Sequence, residues 1–185
     1  HLREQNIVIP MKKGASKDTQ YEGAYVKEPL LGYNEWIVSF DLNSLYPHLI
    51  MQYNISPETK INQDKDFFIT PSGVLNDSDK TRESLSKQKK KNLSIAANGT
   101  CYRRDVQGFL PALMEKMYEE RSMYKKKMIE CQKQKEKDPN NRELDYQIAK
   151  FNNFQLVRKI QLNSAYGAIG NQWFRYYDVD MAEAI

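Results

Sequence analysis

The sequence predicts an α+β fold: a small β-containing body carrying a long antiparallel pair of helices. Three observations predict it. The apolar, β-forming run "EWIVSFDL" (residues 35–42) stops at a turn into a helical pattern. Residues 94–111 carry the turn signals of a small hairpin. From Leu110 onward, apolar residues recur at three- and four-residue spacing, interrupted only by "DPNN".

Taken in order, residues 1–23 are polar, with Gly14, Ser16 and Gly23, and read as an irregular leading segment. "AYVKEP" (residues 24–29) reads as a short strand stopped by proline. Residues 35–42 have the continuous apolar character of a strand buried on both faces. Tyr46, Leu49, Ile50 and Tyr53 then recur at helical spacing, with Ser44 at the N-cap position and Pro47 in the first turn. Asp41 therefore falls where a strand hands over to a helix. Residues 60–92 are polar and show no dominant period, and their "KQKKK" run (87–91) reads as solvated surface. The turn signals of the hairpin are Asn98-Gly99 and Gln107-Gly108. Leu110, Leu113, Met114, Met117, Tyr118, Arg121, Tyr124, Met128 and Cys131 line one face of the first long helix. Asp138 is placed to cap, and Pro139 to open, a second helix bearing Leu144, Ile148, Phe151, Phe154 and Val157 and running to Tyr166-Gly167. Both helices exceed the globular mean of about 11–12 residues, so the hairpin is expected to project. Arg121, Lys125, Lys126, Lys127, Lys133, Lys135 and Lys137 outnumber Glu130 and Glu136, which makes the first helix basic towards its tip.

Composition narrows the class of protein. The 185 residues suffice for one domain, or for one domain with an appendage. With 28 Lys and Arg against 24 Asp and Glu the formal charge is +4, which suits a polyanionic partner without requiring one. No apolar run approaches the ~18 residues of a spanning helix, which argues against a membrane protein. Cys101 and Cys131 are too few for a disulfide framework and lack zinc-ligand spacing, and no signal pattern opens the chain. A reducing, cytosol-like compartment is expected. The chain starts at His1 and its last residues, "DVDMAEAI", read as a helix just beginning, so a piece of a longer protein is expected.

Three groups of residues are candidates for chemistry. Asp41 either caps the following helix or holds a divalent cation; Ser44, Leu45 and Tyr46 would present backbone N–H groups beside it. A carboxylate next to such donors is the pairing that triphosphate chemistry uses. Lys159, Asn163 and Tyr166 or Gly167 share one helical face, and spacing alone leaves open a plain helix end with a solvated lysine and a glycine cap. Arg121 and Lys125 form an i, i+4 cationic pair, either solvated or facing an anion. In an antiparallel hairpin the base of the first helix faces the end of the second. Arg121 and Lys125 are therefore expected to approach Lys159 and form a three-cation pocket.

At these residues the sequence resembles a family B DNA polymerase. "DLNSLYPHLIMQYNISPET" resembles that family's motif A, Asp-x-x-Ser-Leu-Tyr-Pro-Ser, and "KIQLNSAYGAIGN" resembles its motif B, Lys-x-x-x-Asn-Ser-x-Tyr-Gly. "NGTCYRRDVQGFLPALMEKMYEERSMYKKK" resembles the segment leading into the fingers, with its Gly-x-x-Pro and Arg-x-x-x-Lys. "GAYVKEP", "NISPET" and "GNQWFRYYD" are similar to polymerases of T-even-like bacteriophages. The resemblance runs from about Gly23 to Tyr177.

The resemblance implies an arrangement of a partial palm at 24–109, a fingers hairpin at 110–170 and a truncated return to the palm at 171–185. It implies that Asp41 is one of two catalytic aspartates binding two magnesium ions, with the Leu42 carbonyl as a further ligand. Ser44 and Leu45 would give N–H groups to the triphosphate, and Tyr46 would lie under the sugar and exclude a 2′-hydroxyl. Arg121, Lys125 and Lys159 would hold the phosphates, Asn163 would support them, and Tyr166 and Gly167 would line the nascent base pair. Primer-template DNA, dNTPs, a sliding clamp and other replisome proteins are the implied partners, and the cytoplasm of an infected bacterial host the implied setting. Two departures stand out. His48 replaces the family's usual serine, and the later Tyr-Gly-Asp-Thr-Asp motif does not occur, so this chain alone is expected not to polymerise. The alternative is a non-catalytic basic helical hairpin that binds nucleic acid.

Overall fold

The computed structural model describes residues 2, 6–11, 26–61, 67, 69–88 and 91–185. Gly14, Ser16, Gly23 and the first part of the 24–29 run lie outside them, as do two lysines of the 87–91 run. The architecture is α+β. Helix α1 (Leu45–Tyr53) precedes strand β1 (Lys60–Ile61), and two short helices follow, α2 (Pro71–Leu75) and α3 (Asp79–Gln88). Strands β2 (Leu93–Ile95) and β3 (Cys101–Arg103) lead into the long helices α4 (Phe109–Lys137) and α5 (Arg142–Ile169), and α6 (Val179–Glu183) closes the chain.

The sheet is antiparallel in the order β1-β3-β2, with Tyr102 of the central strand opposite both Lys60 and Ser94. The predicted turn at Asn98-Gly99 joins β2 to β3, and Gly99 takes the positive φ of 86° that this turn requires. Ile50, Tyr102, Phe109, Leu110, Met114, Leu162, Ile169 and Met181 form the core, where α1, the sheet, the base of the long helices and α6 meet. Tyr102 is 0% exposed, and its hydroxyl has no partner among the described residues. Burial, and then the nearby carboxylates of Asp178 and Asp180, push its ionisation well above the usual tyrosine range. Those same carboxylates take Lys60 Nζ at 2.8 Å each, which ties α6 to the sheet across more than a hundred residues of chain.

The segment "NISPET" (residues 54–59) fixes the helices to one another. Asn54 ends α1 in a left-handed conformation (φ 57°, ψ 44°), which asparagine tolerates better than most residues. Its side-chain amide donates to the carbonyls of Arg103 and Val106 at 2.7 and 2.8 Å, while its oxygen accepts from Gly108 N at 2.8 Å. The N-terminus of α4 starts at Gly108, which has no side chain to cap with. The caps come from elsewhere: Glu58 accepts from Phe109 N at 2.5 Å and Ser56 Oγ from Leu110 N at 3.4 Å. Such closeness leaves no room for a larger residue at 108, where a Cβ would lie 2.5 Å from that of Ser56.

The helical hairpin forms as the periodicity predicts, and its register can be read from its contacts. Arg158 pairs with Glu120, Tyr124 packs on Phe151 and Phe154, Cys131 Sγ meets Gln147 Oε1 at 3.6 Å, and Lys135 pairs with Asp145. The turn is one place where prediction and structure part. Asn141, not Asp138, is the N-cap of α5, accepting from Glu143 N and Leu144 N, and Pro139 lies in the turn before it. Asp138 instead closes α4 and accepts from Asn141 Nδ2, because reversing two antiparallel helices takes more residues than a direct cap supplies. Helix α5 also runs through Gly167 and stops at Gly170, so Gly167 is a helix-interior residue and not a cap.

The larger correction concerns residues 35–42. They form no strand, they are exposed, and Trp36 sits at φ 60°, which interrupts an extended backbone. Trp36 is 94% and Phe40 91% exposed, the opposite of a strand buried on both faces. A strand needs a partner ladder and two covering layers, and no described strand of this chain runs beside it. Residues 26–29 likewise form no strand. Among the described residues, no helix is long and apolar enough to cross a membrane.

Asn54→Ala is expected to lower unfolding stability by about 1–3 kcal/mol, since it strips partners from three main-chain groups, among them the buried N–H of Gly108. Asn54→Asp, the same size but with no donors to offer Arg103 and Val106, is expected to do no better in denaturant titrations.

Candidate functional site

A cavity of about 640 Å³ opens where the start of α1 meets the flank of the hairpin. It is lined by Phe40, Asp41, Leu42, Asn43, Ser44, Leu45 and Tyr46 from one side and by Arg121, Lys159 and Asn163 from the other. One carboxylate, the first turn of a helix and two cations thus share one concave surface. The first-turn N–H groups of α1 have no intrahelical acceptors, and they lie beside Arg121 and Lys159. The cavity's chemistry is that of an anion site with one hard oxygen ligand at its edge.

The register explains which predicted residues arrive. Glu120 pairs with Arg158, so their neighbours Arg121 and Lys159 come level with one another. One turn nearer the tip, Tyr124 packs against Phe151 and Phe154, and Lys125 is level with these rings rather than with Lys159. Lys125 is exposed and does not line the cavity. Asn163, one turn after Lys159 on α5, does line it.

Tyr46 and Tyr166 meet face to face, with ring centroids 4.6 Å apart and planes 12° apart. The stack joins the first turn of α1 to the last turn of α5, and of its two rings Tyr46 lines the cavity. Gly167, next to Tyr166, is exposed, and a Cβ there would meet nothing within 4 Å. Packing among the described residues therefore gives no reason for a glycine in the last turn of α5, where it costs up to about 0.5–1 kcal/mol relative to alanine.

Ser44 occupies the N-cap position, yet its hydroxyl caps nothing. Its backbone is left-handed (φ 54°, ψ 46°), a conformation that costs a non-glycine residue about 1–2 kcal/mol. In place of a capping bond, Ser44 Oγ accepts from Arg121 Nη1 at 3.0 Å. Arg121 Nε is buried without a partner among the described residues. Phe40 and Asn43 line the cavity without having been singled out from the sequence, although both flank Asp41. The Ser44–Arg121 bond had no sequence signal, since it joins residues far apart in the chain.

The chain matches the family described as DNA polymerase family B over residues 1–185. It is 33% identical to the DNA-directed DNA polymerase of Escherichia phage RB69, in an alignment covering 100% of this chain and 24% of that protein. It is 30% identical to the DNA-directed DNA polymerase of Enterobacteria phage T4, with the same 100% and 24% coverage. The solved family B DNA polymerase of Pyrobaculum calidifontis superposes with a TM-score of 0.52 at 22% identity, covering 76% of this chain and 15% of that one, a likeness of fold. The chain belongs to DNA polymerase family B, and it spans about a quarter of the length of the phage relatives it matches.

The Tyr46–Tyr166 stack is expected to couple α1 to α5. A double-mutant cycle with Tyr46→Leu and Tyr166→Leu, read from unfolding free energies, should give about 0.5–1.5 kcal/mol of interaction. Additive single effects would contradict the observed contact.

Proposed function

We propose that this chain supplies the nucleotide cleft of a replicative DNA-directed DNA polymerase that adds dNTPs to a primer against a template by two-metal nucleotidyl transfer. The observation that carries the reading is the cavity: Asp41 and the start of α1 face Arg121, Lys159 and Asn163, which come from the other half of the chain. A metal-bound triphosphate needs this combination, because phosphoryl transfer depends mainly on positioning and on neutralising charge. In this reading α1 and the sheet are part of the palm and the α4–α5 hairpin is the fingers.

Each residue then has a role at a stated place. The N–H groups of Ser44 and Leu45 receive phosphate oxygens, and Arg121 and Lys159 hold the β- and γ-phosphates, with Asn163 supporting them. Lys125, one turn nearer the tip, joins when the hairpin tilts over the bound nucleotide. Tyr46, backed by Tyr166, forms the floor of the sugar pocket and leaves no space for a 2′-hydroxyl. Tyr166 and Gly167 line the nascent base pair, and Gly167 allows close approach of a base pair to bare backbone.

Asp41 and the Leu42 carbonyl are hard oxygen donors of the kind magnesium takes, and both residues line the cavity. Among the described residues no group of three or more His, Cys, Asp or Glu is placed to hold a metal. When bound, two magnesium ions would activate the primer hydroxyl and neutralise the triphosphate. The rest of the polymerase would cover the exposed apolar face of residues 35–42, which has the character of a buried strand. Primer-template DNA, a sliding clamp and other replisome proteins would be its partners, in the cytoplasm of an infected bacterial host.

The alternative reading, a basic hairpin that binds nucleic acid without catalysis, is favoured by Lys126, Lys133 and Lys137, which are exposed on α4. It leaves unexplained why Asp41 meets Arg121 and Lys159 in one cavity. Gly167→Ala in the polymerase that carries this segment separates structure from function. It is expected to raise stability by about 0.5–1 kcal/mol. In the same variant kcat/KM for dNTP should fall about tenfold or more, as the methyl group displaces the base pair. Unchanged incorporation kinetics would count against a base pair at this position.

A further inference from the structure

His48 stands where the motif that this sequence resembles has a serine, and the structure gives it a place. Ser44 holds a left-handed backbone that a serine does not adopt unaided, and His48 contacts it twice. The Ser44 carbonyl accepts from the His48 backbone N–H at 3.1 Å and from the ring Nδ1 at 2.9 Å. A carbonyl only accepts, so Nδ1 carries the hydrogen. The ring also stands edge-on to Tyr118, with centroids 4.8 Å apart and planes at 80°, and this sets its plane. Tyr118 lies one turn before Arg121 on α4. Arg121, in turn, donates Nη1–H to Ser44 Oγ at 3.0 Å, while its Nε has no partner among the described residues. The residue whose carbonyl His48 holds is thus the residue whose hydroxyl Arg121 bonds.

We infer that His48 is a positioning residue for Arg121, acting through the left-handed turn at Ser44, and so tunes affinity for the triphosphate of the incoming nucleotide. The inference rests on the polymerase reading above. The serine usual at this position in the family can return its hydroxyl to the carbonyl four residues back. A serine side chain is too short to reach Tyr118 as well. The imidazole makes both contacts at once, linking the turn at Ser44 to the helix that carries Arg121.

The test is single-nucleotide incorporation by the intact polymerase that carries this segment, with KM for dNTP and kcat measured separately. His48→Ala should raise KM about five- to twentyfold and change kcat less than about threefold, the pattern of lost binding. His48→Asn, whose amide N–H stands where the ring Nδ1–H stood, should recover most of the affinity, and His48→Gln, whose amide stands further out, should not. In a Ser44→Ala background His48→Ala should have little further effect, because the hydroxyl through which it acts is already gone. A full and independent loss in that background, or equal behaviour of the Asn and Gln variants, would overturn the inference. Arg121→Ala separates this failure from failure of the polymerase reading. If it leaves KM unchanged, the reading of the cleft is wrong. If it raises KM while His48→Ala does not, only the role of His48 is wrong.

Discussion

The rest of the structure depends on the hydrogen bonds of Asn54. This one side chain joins the end of α1, the end of β3 and the start of α4, with Ser56 and Glu58 completing the cap of the long helix. Once those ends are joined, the distances to the cleft follow from helix geometry. Ser44 lies about 15 Å back along α1 from Asn54, and Arg121 lies about 20 Å forward along α4 from Gly108. Two elements that start at one joint and pack together bring these residues to within about one helical turn of each other, a gap that the long arginine side chain spans. The Ser44–Arg121 bond and the His48–Tyr118 contact are where they meet.

The second constraint is the register of the hairpin. Polar and aromatic pairs along α4 and α5 keep the helices from sliding, and the level of Glu120 and Arg158 decides that Lys159 faces the cavity. Sliding by one turn would bring Lys125 level with Lys159 in place of Arg121 and carry Lys159 along the hairpin away from its place in the cavity. The last tie is at the chain's far end, where Lys60 holds Asp178 and Asp180 so that α6 seals the core beneath the cleft. Burial opposes the charge on Lys60, but the hydrogen bonds and attraction of both carboxylates outweigh it and raise its pKa.

Much of this was legible in the sequence because it is local or periodic. Helical spacing marked α1 and the hairpin, the Asn98-Gly99 pair marked the β2–β3 turn, and antiparallel geometry brought Arg121 towards Lys159. What was not legible is long-range. Strand β1 is two residues long and carries no pattern of its own; it exists because Tyr102 and Cys101 lie opposite it. The cap by Asn141, two residues beyond a plausible Asp138-Pro139 start, depends on how the chain must turn. Residues 35–42 show the limit most clearly. Their pattern reports an environment with two covering layers, and the described residues of this chain supply neither. Lys125 is similar: spacing placed it on the face of Arg121, but only the packing of Tyr124 on Phe151 and Phe154 shows which turn of α5 it faces.

The central claim is that the cleft between α1 and the hairpin binds a triphosphate through specific cations, not through general basicity. The most direct measurement compares Lys159→Ala, in the cavity, with Lys133→Ala, exposed further along α4. Both remove one positive charge from the polymerase that carries this segment. Pre-steady-state kinetics should show the Kd for incoming dNTP rising about tenfold or more for Lys159→Ala, with affinity for single-stranded DNA unchanged, and no change in dNTP affinity for Lys133→Ala. Equal effects of the two substitutions on dNTP binding, or a loss of DNA affinity alone, would contradict the account.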